Sequence, residues 1–161
     1  VPDFTYGFNI YLEYKNFDFT AFFQGVQGVD IISDLKKETD IWAGLNIGNL
    51  NKGRRLLSAW SVDNPTSDIP ALTLSDNNNE KRVSSYWVEN GSYLKLRTIQ
   101  LGYNFPQSIA SKLSMQRLRM YVSAQNLFTI KSSSFTGLDP ENPNYGYPIP
   151  LNLTFGLNVT F

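Results

Sequence analysis

Few side chains of this chain are of a type that could catalyse a reaction or bind a metal, because two kinds of ionisable residue are missing. The sequence has no cysteine and no histidine, which removes thiol chemistry, disulfides and the commonest general base and metal ligand. The carboxylates of Asp139 and Glu141 could ligate calcium, but their spacing matches no known calcium loop. The prolines around them favour a turn instead. We therefore predict no catalytic residue, no cofactor and no metal, and a protein that is not an enzyme.

Aromatic side chains are the second group with a possible role in binding. The chain has 11 Phe, 9 Tyr and 3 Trp, and aromatic faces stack on sugars and peptides as well as packing against loops. Five of them lie in polar segments between predicted strands, namely Trp42, Trp60, Trp87, Tyr145 and Tyr147. We predict these five as candidate contacts to a ligand or a partner protein. Loop packing is the favoured alternative for any single one.

The composition limits the class of protein. A length of 161 residues predicts one domain, and the balance of 14 basic against 14 acidic residues speaks against a nucleic-acid partner. No run of about 18 apolar residues is present, so a membrane-spanning helix is excluded, whereas a membrane β-barrel is not. The chain begins at Val1 without an initiator Met or a signal peptide. We expect it to be a piece of a longer protein.

Five segments alternate apolar and polar residues with a period of two, which predicts β-strands. They are 4–14, 17–24, 92–103, 116–128 and 151–161. In segment 92–103, Lys95 and Arg97 share a face with apolar residues, and a cation on the lipid side of a bilayer costs about 2–4 kcal/mol. We therefore expect either a β-bulge in this strand or a position for both cations above the hydrocarbon.

The connections between the strands differ in length. Polar segments 25–91 and 129–150 are long, whereas 15–16 and 104–115 are short, and residues 31–42 predict a short helix that begins near Ser33 or Asp34. In a membrane-crossing chain the two long connections fall on one side, as in outer-membrane barrels. Five strands cannot close such a barrel, so we expect the other strands upstream of Val1.

Six motifs occur in a fixed order along the chain. They are WSVDNP at 60–65 followed by Ile69 and Pro70, SYWVENGSYLKLR at 85–97, IQLGYNFP at 99–106, LRMYVSAQNLF at 118–128, GLDPE at 137–141 and FGLNVTF at 155–161. In this order they resemble the C-terminal end of the SusC/RagA family of TonB-dependent outer-membrane transporters of the Bacteroidetes. Residues 60–161 carry the likeness, and residues 1–59 match only as a hairpin and a divergent loop.

The resemblance implies an all-β fold: the C-terminal five strands of an antiparallel transmembrane β-barrel of about 22 strands. Residues 1–161 would form this portion, with outer loops at about 25–91 and 129–150 and with the plug domain absent. The implied function is import of oligosaccharides or peptides across the outer membrane of a Gram-negative bacterium. The implied partners are outer-membrane lipid, a SusD-like surface lipoprotein as a lid, and TonB acting through the absent plug region. Phe161 would be the assembly signal that the barrel-insertion machinery reads.

A soluble extracellular β-sandwich that binds glycans is the alternative interpretation. It accounts for the strands, the aromatic residues and the lack of catalytic groups. It must, however, cover one apolar face of segment 4–14 with a small core, and this face comprises Phe4, Tyr6, Phe8, Ile10, Leu12 and Tyr14. This requirement favours the transporter.

Overall fold

The computed structural model describes residues 1–40, 52–73, 79, 82–143 and 146–161. The chain divides into two compact units. The sheet unit consists of Val1–Val29, Gly91–Ser132 and Pro148–Phe161, and the loop unit consists of Asp30–Asn90 and Ser133–Tyr147.

Strands dominate the regular structure. In chain order the elements are β1 (Phe4–Tyr14), β2 (Phe17–Gln27), β3 (Asp30–Ile32), α1 (Asp34–Asp40), β4 (Val88–Asn90), β5 (Tyr93–Asn104), α2 (Gln107–Ala110), β6 (Arg117–Lys131) and β7 (Asn152–Thr160). Short 3-10 turns lie at Arg54–Ser58, Ser85–Trp87 and Ser111–Leu113. No described helix has the length and apolar character that are needed to cross a membrane.

The sheet unit is an antiparallel meander of five strands in the order β1-β2-β5-β6-β7. A two-residue turn joins β1 to β2, and Lys15 in this turn has a positive φ of 54°. The five alternating segments of the sequence coincide with these strands. β2 and β6 run further than the alternation, to Gln27 and Lys131, because backbone pairing with their neighbours continues there. The prediction of an antiparallel β-sheet is confirmed.

A β-bulge at Arg97 settles the placement of the two cations of β5. At this residue the pairing register shifts both between β5 and β2 and between β5 and β6. Leu96 therefore pairs with Phe23 on the apolar face, whereas Lys95 pairs with Gln24 on the polar face. Arg97 Nε donates to Oε1 of Gln24 at 2.9 Å. The expected bulge is confirmed, and it removes Lys95 from the apolar face.

One face of the sheet is apolar from edge to edge. Residues that are paired strand by strand form continuous rows across it, such as Leu12, Phe19, Leu101, Val122 and Phe155, and Ile10, Ala21, Ile99, Ala124 and Leu153. Large side chains of this face are exposed, including Phe8 at 45%, Leu12 at 60% and Phe155 at 80%. The opposite face carries polar rows, such as Tyr11, Thr20, Gln100, Ser123 and Thr154.

The loop unit contains a two-stranded antiparallel ribbon of β3 and β4, followed along the chain from β3 by α1. The predicted start of a helix near Ser33 or Asp34 is confirmed, whereas Ile31 and Ile32 of the segment 31–42 pair with β4 instead. The helix begins at Asp34, and Oγ of Ser33 accepts a hydrogen bond from the backbone N–H of Lys36 at 3.2 Å. Ser33 thus caps α1, whereas residues 41 and 42 lie outside the described residues. Among the described residues of this unit, Leu56, Trp87 and Phe135 are the buried apolar side chains.

Candidate functional site

An ion pair crosses the polar face of the sheet unit. Oδ2 of Asp18 accepts a hydrogen bond from Nε of Arg119 at 2.9 Å, and its Oδ1 accepts one from Nη2 at 2.5 Å. Nδ2 of Asn104 donates to Oδ2 of Asp18 at 3.1 Å. A two-point contact between guanidinium and carboxylate is a strong and directional pair. Because Asp18 lies on β2 and Arg119 on β6, this pair connects two strands that are not neighbours.

Gly102 makes this contact possible. It lies on β5 between the two strands, directly opposite Asp18 in the register. A Cβ atom at this position would lie 2.3 Å from Nη2 of Arg119 and 2.5 Å from Oδ1 of Asp18. Any other residue would therefore require the side chains of Asp18 and Arg119 to shift from this arrangement. The guanidinium carbon of Arg119 also lies 5.3 Å from the ring centre of Tyr121, within the range of a cation–π contact.

Glu89 is a buried carboxylate of the loop unit that joins separate segments of the chain. It is 3% exposed, and it accepts hydrogen bonds from the backbone N–H of Thr136 at 3.0 Å and from Oγ1 of the same residue at 2.7 Å. Nζ of Lys36 lies 3.1 Å from its Oε1. Burial raises the pKa of Glu89, but the hydrogen bonds from Thr136 and Lys36 outweigh it and hold the pKa below its ordinary value.

Asp40 is another buried carboxylate of the loop unit that joins separate segments. It accepts hydrogen bonds from the hydroxyl of Tyr86 at 2.5 Å, from Nε of Arg55 at 2.8 Å and from Oγ1 of Thr39 at 3.0 Å. Burial and the hydrogen bond to Asp40 raise the pKa of Tyr86, so the phenol stays protonated at neutral pH.

Lys36 joins the two carboxylates into one network. Its Nζ donates to the backbone O of Tyr86 at 3.0 Å and lies 4.9 Å from the ring centre of that residue. Tyr86 in turn binds Asp40, and Lys36 binds Glu89. The network holds α1, the 3-10 turns at Arg54–Ser58 and Ser85–Trp87, β4 and the segment around Thr136 in one fold.

A cavity of about 420 Å³ lies beside this network. Its lining residues are Leu35, Thr39, Gly53, Arg54, Arg55 and Thr136. This volume falls in the range of about 300–1,000 Å³ that small-molecule sites occupy. Among the described residues, no group of three or more His, Cys, Asp or Glu side chains is placed to hold a metal ion.

Comparisons with known proteins identify the family. No protein-family model matches the chain. TonB-dependent receptor P3 of Formosa agariphila is 38% identical over 99% of this chain, and TonB-dependent receptor SusC of Bacteroides thetaiotaomicron is 29% identical over 93% of it. A solved structure of the RagAB peptide importer in a closed-closed state superimposes on all of the chain with a TM-score of 0.80 and 29% identity. The chain belongs to the SusC/RagA family of TonB-dependent receptors.

This SusC/RagA-family chain is short in comparison with its relatives. It covers 16% of receptor P3, 14% of SusC and 17% of the RagAB chain. The recognised motifs lie in both units: 99–106 and 118–128 supply β5 and β6, whereas 60–65 lies in the loop unit. The family likeness thus includes the strands and the loops.

The aromatic candidates of this SusC/RagA-family chain lie in different environments. Trp87 is 2% exposed, and its Nε1 donates to the backbone O of Arg82 at 2.9 Å, so its ring is engaged in packing. Trp60 is 45% exposed and Tyr147 is 94% exposed, which leaves both accessible. Trp42 and Tyr145 lie outside the described residues. Phe161 follows β7 directly and is 78% exposed.

The segment around Asp139 forms a turn, as its prolines predict. Oδ1 of Asp139 accepts the backbone N–H of Glu141 at 2.9 Å, and its backbone O accepts the N–H of Asn142 at 3.1 Å. This is the geometry of an Asx turn, in which the carboxylate binds the backbone of its own loop.

Sequence reasoning missed the two charge networks. Asp18 and Arg119 gave a weak signal, since each is a charged residue on the polar side of a predicted strand. Glu89 and Lys36 gave no signal in the sequence, because they are far apart along the chain and meet only when β4 and α1 fold together.

Proposed function

We propose that this chain forms part of the wall and the outer loops of an outer-membrane transporter. The apolar sheet face carries the proposal. It extends over five strands, and its aromatic and aliphatic side chains are exposed. A patch of this extent is unfavourable in water, whereas a barrel wall presents such a face to lipid and the polar face to the lumen. A soluble sandwich would have to bury Leu12 and Phe155, which are exposed here.

The dimensions of the apolar face support a membrane position. The distance from Tyr6 to Tyr14 along β1 is about 27 Å at about 3.4 Å per residue. With a strand tilt of about 40° this gives a band about 20 Å tall, close to the band of about 25 Å in outer-membrane barrels. Aromatic pairs mark both ends, with Phe4 5.7 Å from Tyr6 and Phe17 4.8 Å from Tyr103 between ring centres.

The strand edges support a larger barrel. Among the described residues, β1 and β7 each pair with one neighbouring strand. Unpaired backbone groups are unfavourable in lipid, so further strands of a longer protein complete the wall. The proposed whole is a barrel of about 22 strands around a plug, in which this chain is the C-terminal portion. The connections at about 25–91 and 129–150 are the outer loops, and Phe161 is the assembly signal.

The relatives support a nutrient as cargo. The solved relatives are named peptide transporters or peptide importers, which favours peptides, and oligosaccharides are the second class. The proposed partners are a SusD-like lipoprotein that covers the outer loops and TonB, which acts through the plug. Trp60 and Tyr147 are the accessible aromatic candidates for contact with the lid or with cargo. The proposed transporter, of which this chain is a part, moves its cargo without chemical change.

Fractionation of cells that express the full-length protein tests this proposal. We expect an outer-membrane protein whose gel mobility shifts on boiling and which co-purifies with a surface lipoprotein. Recovery of the full-length protein from the soluble fraction, as a monomer without heat-modifiable mobility, would refute the proposal and favour a glycan-binding sandwich.

A further inference from the structure

We propose that the cavity beside the buried network of the loop unit binds the carboxylate group of a small ligand. This inference rests on the proposed function, since it assigns part of cargo recognition to an outer loop. The cavity has a volume of about 420 Å³ and is formed entirely within the loop unit.

The walls of the cavity are suited to an apolar or weakly polar ligand body. Leu35 contributes an aliphatic side chain, and Gly53 contributes backbone only. The two threonine hydroxyls of the lining already use their single protons. Oγ1 of Thr39 lies 2.8 Å from the backbone O of Leu35 and 3.0 Å from Oδ1 of Asp40, and Oγ1 of Thr136 donates to Glu89 at 2.7 Å. The hydroxyls therefore do not supply the donors that an anion requires.

Positive charge is the polar feature of the lining. Arg54 and Arg55 both line the cavity, and the described residues of its lining include no acid. The charge of Arg55 is balanced, because its Nη2 lies 2.5 Å from Oδ2 of Asp40 and its Nε binds Oδ1 of the same carboxylate. Other ion pairs of the described part of the loop unit join Lys36 to Glu89 and Lys37 to Asp34. Arg54 is exposed, and among the described residues no acidic side chain pairs with its guanidinium.

A carboxylate complements this arrangement. A guanidinium offers two parallel N–H donors that match the two oxygens of a carboxylate. Arg54 follows Gly53 at the start of the 3-10 turn Arg54–Ser58, and Leu56 of this turn is buried, which anchors the backbone that carries the cation. The neighbouring ion pair between Arg55 and Asp40 anchors the turn a second time. The ligand class is a small molecule with a terminal carboxylate, and its two sources are the C-terminus of a short peptide and the acid group of a uronic sugar.

Binding measurements on the purified full-length transporter test this site with four probes. They are a pool of tripeptides with free C-termini, the same pool amidated, oligogalacturonates, and their methyl esters. We expect one carboxylate probe to bind about tenfold more tightly than its neutral counterpart. Arg54→Gln removes this preference, Arg54→Lys restores part of it, and Arg82→Gln, which removes an exposed charge of the same unit outside the cavity, keeps it. A preference for the free peptides identifies a peptide C-terminus, and one for the oligogalacturonates identifies an acidic sugar.

Two results would overturn the site. One is equal binding of both carboxylate probes and their neutral counterparts by the wild-type protein, and the other is a preference that persists in Arg54→Gln. Heat-modifiable mobility of each variant in the outer membrane shows that the barrel has folded. Failure of the proposed function itself is a different outcome, since the wild-type protein would then be missing from the outer membrane.

Discussion

Asp18 of β2 and Arg119 of β6 form a two-point ion pair directly over Gly102 of the intervening strand β5. Three strands of the polar face are thereby tied together at one position. Asp18 is 8% exposed, and its direct cross-strand partner on β1 is another acid, Glu13. The guanidinium of Arg119 compensates an arrangement of like charges that would otherwise be unfavourable.

Replacement of Arg119 should therefore destabilise the sheet. Arg119→Leu leaves Asp18 shielded from water, without its counter-ion and opposite Glu13, and we expect a loss of about 3 kcal/mol in the free energy of unfolding. Urea titration of the extracted full-length protein measures it. Arg117→Gln is the control, because Arg117 is exposed and contributes one hydrogen bond to Asn104. Equal losses in both variants would show that the pair with Asp18 has no special role.

The space above Gly102 gives a second prediction. Gly102→Ala places a methyl group 2.3 Å from Nη2 of Arg119, so both side chains must shift and their contact weakens, and we expect a loss of about 2 kcal/mol. In the Arg119→Leu background the same substitution should cost clearly less, because the guanidinium is gone and Asp18, no longer held by it, can move away from the new methyl group. A double-mutant cycle by urea titration measures this coupling, and strictly additive losses would contradict it.

The buried carboxylate of Glu89 predicts a dependence of the loop unit on pH. Its pKa in the folded protein lies below the ordinary value of 4.5, so its contribution to stability is fully present above that value. The contribution is lost as the pH falls through the lower, folded-state pKa. Backbone hydrogen exchange around Thr136, measured from pH 7 down to pH 3, should show loss of protection in acid. Glu89→Gln should lose protection already at pH 7 and show a flatter response, and an unchanged pH profile in this variant would contradict the assignment.

The membrane position of the apolar face predicts an asymmetry between neighbouring residues of β7. Phe155→Arg places a cation on the face that we assign to lipid, at an expected cost of about 2–4 kcal/mol, and should lower the amount of folded protein in the outer membrane. Thr154→Arg changes the adjacent residue, which points to the polar face, and should have a much smaller effect. The heat-modifiable band in outer-membrane fractions reports both. Comparable losses would argue against a lipid-facing surface.

Phe161 predicts an effect on assembly rather than on stability. It lies beyond the last paired residue of β7 and is 78% exposed, so Phe161→Ala removes little packing. We expect less folded protein in the outer membrane, with the urea midpoint of the folded fraction unchanged. Val159→Ala removes apolar surface within the paired part of the same strand and is the control. Normal assembly of Phe161→Ala would refute the role as an assembly signal.

The sequence alone determined the strands, their two faces and the family. Successive side chains of a strand point to opposite sides, so a period of two in the residues from Phe4 to Tyr14 assigns each of them to a face before any partner is known. The motifs around Gly102 and Tyr121 identified the family, because each is a short run of consecutive residues that can be recognised without knowledge of the fold. The bulge in β5 followed from a local conflict, namely Lys95 among apolar neighbours.

Only the tertiary structure decided which charged residues meet. The pairing of Asp18 with Arg119 depends on the register of three strands and on the empty space above Gly102. The contact between Lys36 and Glu89 depends on the folding of β4 beside α1. Neither follows from residue spacing, because the chain between two such residues leaves their separation free until strand pairing and burial fix it. The cavity beside Arg54 is likewise visible only in the tertiary structure, because its lining residues come from three separate stretches of the loop unit.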